Sequence, residues 1–257
     1  MIFQVGDLVT RISYNHDVVF KILNIKGQIA YLKGMQVRLY ADAPLEDLMK
    51  YQREERDIED DALLCLDILD RNDFFYLPGK VLHIDADVEY LERCLKFYKK
   101  NKVMAIGKQI SESEVSKQIK NLLLEYQPDI VVITGHDAYY SKKGSKKDSK
   151  NYKNTENFVK AVKEARKFEK SHEKLVIIAG ACQSNYEELI RAGANFASSP
   201  KRVNIHALDP AIIATVLAMS ERNKEIDLVS LLAKTKYGAN GMGGIITNGM
   251  MYIGFPR

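Results

Sequence analysis

The chain has 257 residues, of which 46% are hydrophobic, and a formal net charge of +4 at pH 7. That length supports a sizeable core in one large domain or two unequal ones, and so small a charge excess does not by itself imply a nucleic-acid partner. No apolar run approaches the roughly 18 residues of a membrane span, and the opening Met1–Ile–Phe–Gln–Val–Gly–Asp7 lacks a secretory-signal pattern.

The first fifty residues contain the short strands Gln4–Arg11, Asp17–Leu23 and Gln28–Gly34, separated by turn residues Gly6, Asn15, Gly27 and Gly34. Close spacing of short strands predicts a small SH3-like β-barrel over 1–50. An acidic connector follows over 51–79, where Glu54, Glu55, Asp57, Glu59, Asp60 and Asp61 form a solvated face.

From Lys80 the pattern alternates. Val81–Asp85 is a strand, Tyr90–Tyr98 a helix, and Val103–Gly107 the next strand. Ser111–Tyr126 is a helix with Val115, Ile119, Leu122 and Leu123 on one face. Asp129–Thr134 is a strand and Thr155–Phe168 a helix, with Asn154 or Thr155 available to cap it. Leu175–Ile178, the helix starting at Asn185–Arg191 and the strand Asn195–Ser198 complete the series. This order predicts a parallel-sheet α/β domain over 80–257.

Two of the buried strands end in reactive side chains. Asp129–Thr134 runs into Gly135–His136, and Leu175–Ile178 runs into Gly180–Ala181–Cys182. Chemistry in an open parallel sheet gathers beyond the carboxyl ends of its strands, so an imidazole and a thiol at neighbouring ends form a candidate dyad. Gly135 and Gly180 let a substrate backbone approach, and amides near Gly135 and Cys182 would hold an oxyanion. A helix starting near Asn185 would direct positive potential toward the sulfur. The alternative is that Cys182 is simply one more buried cysteine packed as a small hydrophobe. The three cysteines, Cys65, Cys94 and Cys182, are too scattered for a disulfide framework and fit a reducing compartment. CxxC and HExxH are both absent, so no zinc is expected and no cofactor is implied.

Ala181–Cys182–Gln183 matches the Ala-Cys-Gln core of the caspase signature, whose histidine lies about 50 residues upstream. Here His136 precedes Cys182 by 46 residues. The pattern is similar to the caspase–gingipain–legumain group, although Gly180 and Asp137 depart from it. Over essentially the full length, Gly6–Phe20, Leu82–Asp87, Gly135–His–Asp137, Gly180–Asn185 and Ser198–Pro210 resemble the YabG family of sporulation-specific peptidases. The resemblance implies a caspase-like fold and a cysteine endopeptidase with Cys182 as nucleophile and His136 as catalytic histidine. It also implies protein substrates of the spore coat, action in the mother cell or forespore coat region, cleavage after basic residues and self-cleavage. A basic preference needs acidic side chains at the substrate pocket, for which Asp209 and Asp227 are the candidates.

Other residues have competing readings. His206 offers a rival, amidotransferase-like pairing with Cys182, but reads first as a residue beside Asp209 where a helix begins. His83 reads as a satisfied core histidine. Asp85 and Asp87 do not make a phosphoacceptor site, because no aspartate ends the 130–134 strand. The loop Tyr139–Lys153, with Lys142, Lys143, Lys146 and Lys147, reads as a solvated loop before it reads as part of an RNA-binding or scaffold module. Gly238–Gly244 reads as a tight turn or a flexible part of the cleft and does not fit GxGxxG.

Overall fold

The computed structural model describes residues 3–51, 74–140, 144–146 and 148–255. The chain divides into two compact units, Met1–Asp61 and Ala62–Arg257. Most of the expected connector, residues 52–73, lies outside the described residues.

In the first unit, β1 (Leu8–Arg11), β2 (Phe20–Lys26), β3 (Ile29–Gly34), β4 (Tyr40–Pro44) and β5 (Leu48–Lys50) form an antiparallel sheet in the order β4-β3-β2-β1-β5. Alternation along β2 buries Phe20 and Ile22 and exposes Lys21 and Leu23, as a strand with one wet face requires. The two-residue turn Gly27–Gln28 joins β2 to β3, and Gly27 takes φ +60°, which an L side chain adopts only under strain. Val9, Phe20, Ile22, Ala30 and Leu32 form the small core.

The second unit is mixed α/β. Its main strands are β7 (Val81–Asp85), β8 (Ala105–Gln109), β9 (Ile130–Thr134), β10 (Val176–Ala179), β11 (Phe196–Ser198) and β12 (Met242–Gly244). They lie in the order β12-β11-β10-β9-β7-β8, parallel except for β12, which runs antiparallel to β11. A separate two-stranded ribbon pairs β6 (Phe75–Leu77) with β13 (Tyr252–Gly254).

Every residue of β7, β9, β10 and β11 is buried, which explains the continuous apolar runs of β9 and β10. Val81, Ile130, Val132, Val176 and Ile178 face one core, shared with α1 (Val88–Lys100) and α5 (Asp209–Met219). Leu82, Ile84, Val131, Ile133 and Ile177 face the other, shared with α2 (Glu112–Tyr126), α3 (Thr155–Phe168) and α4 (Tyr186–Ala192).

The differences from expectation have local causes. β8 starts two residues later than the run Val103–Gly107 suggests. Lys102 takes φ +58° and the Val103 N–H bonds the Tyr98 carbonyl at 3.0 Å, so Val103 closes α1 instead of opening a strand. The expected glycine turn at 238–244 contains α7 (Gly238–Gly241) and β12. A Cβ on Gly244 would stand 2.4 Å from the Phe196 ring, so glycine is what allows β12 to reach β11. Beyond the expected elements, α6 (Leu228–Ala233) and α5 complete the layer over Cys94 and Cys182.

Candidate active site

β7 is followed outward by β8, after which the chain returns to place β9 on the other side of β7. The strand order therefore reverses between β7 and β9, where α/β sheets form a crevice at their carboxyl ends. His136 follows β9 at this crevice. β10 is the neighbour of β9 in register Ile133↔Ala179, so Cys182 leaves the sheet at the corresponding level.

Two carboxylates flank the His136 ring. Its Nε2 is 3.8 Å from Asp87 Oδ2 and its Nδ1 is 3.9 Å from Glu112 Oε1, with the Tyr90 ring centroid 5.9 Å away. Asp87 is fixed because it caps α1, accepting from the Glu89 and Tyr90 amides at 3.0 and 3.4 Å. Glu112 opens α2 and accepts the His136 backbone N–H at 2.8 Å. A Cβ on Gly135 would lie 2.6 Å from that same Glu112 oxygen, so Gly135 is the space that Glu112 occupies. Nearer the sheet, His83 bonds Tyr98 at 2.9 Å and Thr134 at 3.1 Å, while Thr134 donates to Asp85 at 2.8 Å. His83 is thus the satisfied core histidine expected of it.

Cys182 is fully buried. Its sulfur faces the backbone of Ile205, whose N–H points at it from 3.3 Å and whose carbonyl lies at 3.8 Å. That amide is a ready donor to a sulfur carrying negative charge. The following residue, Gln183, takes φ +58° and is held by Val203 O at 3.1 Å. Ser199 at +65° and Arg202 at +57° lie in the segment leading to Ile205. Left-handed non-glycine residues cost energy and gather where surrounding bonds over-determine a functional geometry. The helix after Cys182, α4, has 7 residues, and Asn185 caps it by accepting the Glu188 amide.

The two strand-end loops are joined by Asp137, which adjoins His136 and which the sequence pattern left without a task. Oδ1 accepts from the Ala138 and Asn154 amides at 2.9 and 2.7 Å. Oδ2 accepts from the Thr155 hydroxyl at 2.5 Å and the Ser184 hydroxyl at 2.8 Å. Burial pushes the Asp137 carboxyl up from its ordinary value, against the lowering effect of Thr155, Asn154, Ser184 and Ala138. A second link runs from the Tyr139 amide to Gln183 Oε1 at 3.2 Å.

The remaining candidates lie where helices begin. The His206 amide donates to Asp209 Oδ2 at 2.9 Å, and its Nδ1 accepts the Leu208 amide at 3.2 Å. Asp209 is fully buried and also accepts the Lys236 amide at 2.9 Å. Asp227 caps α6 through the Val229 and Ser230 amides and the Ser230 hydroxyl, and these donors lower its pKa. Both carboxylates are therefore engaged by their own chain. Beside Asn185 opens a cavity of about 480 Å³ lined by Lys146, Glu187, Arg191, Lys201 and Arg202, more basic than acidic. Part of the lysine loop lies among the described residues. Tyr139 bridges Tyr152, and Lys146 lies 5.9 Å over the Tyr139 ring, while 141–143 and 147 fall outside the described residues. Among the described residues no group of three His, Cys, Asp or Glu is arranged to hold a metal, and no helix is long and apolar enough to cross a membrane.

Comparison with known proteins covers nearly the whole chain. The family described as YabG peptidase U57 matches residues 4–64 and 67–256. The sporulation-specific protease YabG of Bacillus subtilis (strain 168) is 42% identical over 287 aligned positions, covering 100% of this chain and 99% of that protein.

Proposed function

The chain belongs to the YabG peptidase family, and from that premise we propose that it is a sporulation protease working as a cysteine endopeptidase through Cys182 and His136. The observation that carries this reading is the shared register of β9 and β10, which sets Gly-His and Ala-Cys loops side by side at the carboxyl edge of one parallel sheet. On this reading the second unit is a caspase-like catalytic domain and the first an SH3-like barrel.

Chemically, the Cys182 thiolate attacks the scissile carbonyl, and the amides of Gly135 and Cys182 receive the developing oxyanion. His136 gives its proton to the leaving amine as the tetrahedral intermediate collapses to a thioester. Water, deprotonated by His136, then attacks the thioester and releases the acid product with the thiol restored. Asp87 and Glu112 support the imidazolium that this cycle requires. Asp87 is held by its capping bonds and Glu112 by its bond to the His136 amide, so both charges are fixed before reaction.

The proposed substrates are spore coat and related sporulation proteins, cut after basic residues, and the chain itself is one of them. Cys182→Ala tests the reading. It is expected to leave a folded protein with no cleavage of isolated coat proteins, and undiminished cleavage would overturn the cysteine assignment.

A further inference from the structure

We propose that Asp137 is a positioning residue for this reaction, clamping the loop that carries Cys182 at both of its ends. The proposal rests on the cysteine-peptidase reading above.

The argument follows the hydroxyl protons. Oδ2 of Asp137 receives two of them, from Thr155 and from Ser184. Each hydroxyl, having donated, turns a lone pair toward an amide of the cysteine loop. The Ser184 oxygen accepts the Ala181 N–H at 2.9 Å, immediately before Cys182. The Thr155 oxygen accepts the Asn185 N–H at 3.1 Å, three residues after Cys182. One carboxylate oxygen thus orients both hydroxyls, and they hold the amides on either side of the nucleophile. Between those anchors Gln183 sits in the left-handed region, a conformation that persists only when its surroundings enforce it.

The other carboxylate oxygen ties the same group to its own loop and to the start of α3, through the Ala138 and Asn154 amides. Asn154 in turn donates its side-chain amide to the His136 carbonyl at 2.8 Å. Asp137 is therefore the point where the imidazole-bearing backbone and the thiol-bearing backbone meet. Ionised, a carboxylate only accepts, which suits four converging donors. Asparagine, nearly the same size, would present an NH₂ group to two hydroxyls that already aim their protons at that position. A misplacement of about 1 Å between reacting groups costs on the order of 10²-fold in rate.

The test uses the full chain and an internally quenched, arginine-containing peptide. Asp137→Asn and Ser184→Ala are each expected to lower kcat at least tenfold, with KM within about threefold and a melting temperature close to that of the parent. The double variant should be no slower than Asp137→Asn alone, because the two groups act as one unit. Thr155→Val should lose rate and Thr155→Ser recover it, since serine keeps the hydroxyl. If Asp137→Asn does not fold, Ser184→Ala and the Thr155 pair still decide.

Near-parental kcat in Ser184→Ala and Thr155→Val would overturn the positioning role. So would losses that multiply in the double variant, or a fall in kcat that only tracks melting temperature. Cys182→Ala in the same assay keeps the two ideas apart. An active Cys182→Ala removes the cysteine-peptidase reading itself, whereas an inert Cys182→Ala beside fully active Asp137 and Ser184 variants removes only this proposal.

Discussion

Ile133 and Ala179 are register partners across β9 and β10, so His136 and Cys182 each stand three residues beyond a shared level of the sheet. Parallel neighbours lie about 4.8 Å apart, and their side chains alternate in step. The two residues are thus brought to the same edge by backbone pairing alone, although 46 residues and the whole of α3 separate them in sequence.

His136→Ala is expected to lower kcat by about 10²–10⁴-fold, the usual contribution of a positioned acid–base group. His136→Ala combined with Cys182→Ala should be little worse than either alone. His206→Ala should keep most of the rate. Its Nδ1 accepts the Leu208 amide, so its loss should instead cost about 1 kcal/mol of stability. Steady-state kinetics beside thermal melts separate the two histidines, and the opposite ranking would favour the Cys182–His206 pairing.

Gly135→Ala tests the packing beneath the imidazole. The added methyl meets Glu112 Oε1 at 2.6 Å and Cγ at 2.9 Å, so the carboxylate must leave the His136 amide. Activity should fall roughly tenfold or more through misplacement of the loop, while stability changes by no more than about 1–3 kcal/mol. Parental kinetics in this variant would show that Glu112 has no part in placing His136.

Asp137→Asn should show a pH-dependent difference in stability. Burial raises the folded-state pKa of Asp137 above its unfolded value. Folding therefore penalises the ionised form relative to the unfolded chain, and the four donors offset only part of that penalty. The contribution of the carboxyl to stability is fully present below the unfolded pKa and is lost as pH rises through the raised value. Asparagine cannot titrate, so the melting temperature of the variant relative to the parent should climb as pH rises from the ordinary carboxylate value of 3.8 through the raised folded value. Calorimetry across that range checks it, and a flat or falling difference would contradict it.

Arg166→Lys probes a support remote from the chemistry. The guanidinium donates to the carbonyls of Gly193, Glu169, Ser171 and Leu175 and to Asn195 Oδ1, at 2.9–3.1 Å. Burial draws its pKa down to about 10, still charged at neutral pH. Lysine cannot reproduce the fork, so the substitution should cost about 2–3 kcal/mol. A melting temperature several degrees lower with KM unchanged is the expected outcome.

Self-processing is expected near Arg53 and Arg56 in preference to the lysine loop at 139–153. The first segment offers arginines where the loop offers only lysines, and Tyr139 and Tyr152 are bridged within that loop. Intact mass spectrometry of the parent and Cys182→Ala after equal incubation should show the shorter species in the parent alone. A parent that stays full length while cutting a coat protein would refute it.

The periodicities that are local were legible in the sequence. β9 and β10 announce themselves as apolar runs because both their faces are covered. α2 and α3 do so by the spacing of Val115, Ile119, Leu122 and Leu123 and of Phe158, Ala161, Val162 and Ala165. His136 and Cys182 could be singled out because each ends such a run.

Asp137, Ser184, Thr155 and Ile205 could not be found in that way. Asp137 reads only as a departure from the motif beside His136, yet its hydroxyl partners lie 18 and 47 residues away, and nothing in the spacing marks a carboxylate that two hydroxyls will share. Ile205 reads as an ordinary apolar residue until the chain after β11 brings its amide to the sulfur of Cys182. Asp209 and Asp227 looked available to a substrate because a cap and a free carboxylate have the same sequence. The chain by itself determined the segments with a strong local period, such as β9, β10, α2 and α3, since burial of alternating or 3.6-periodic faces depends on neighbours a few residues apart. Only the tertiary structure decided which polar groups meet at the strand ends, because a hydrogen bond depends on distances of about 3 Å between residues whose separation along the chain is arbitrary.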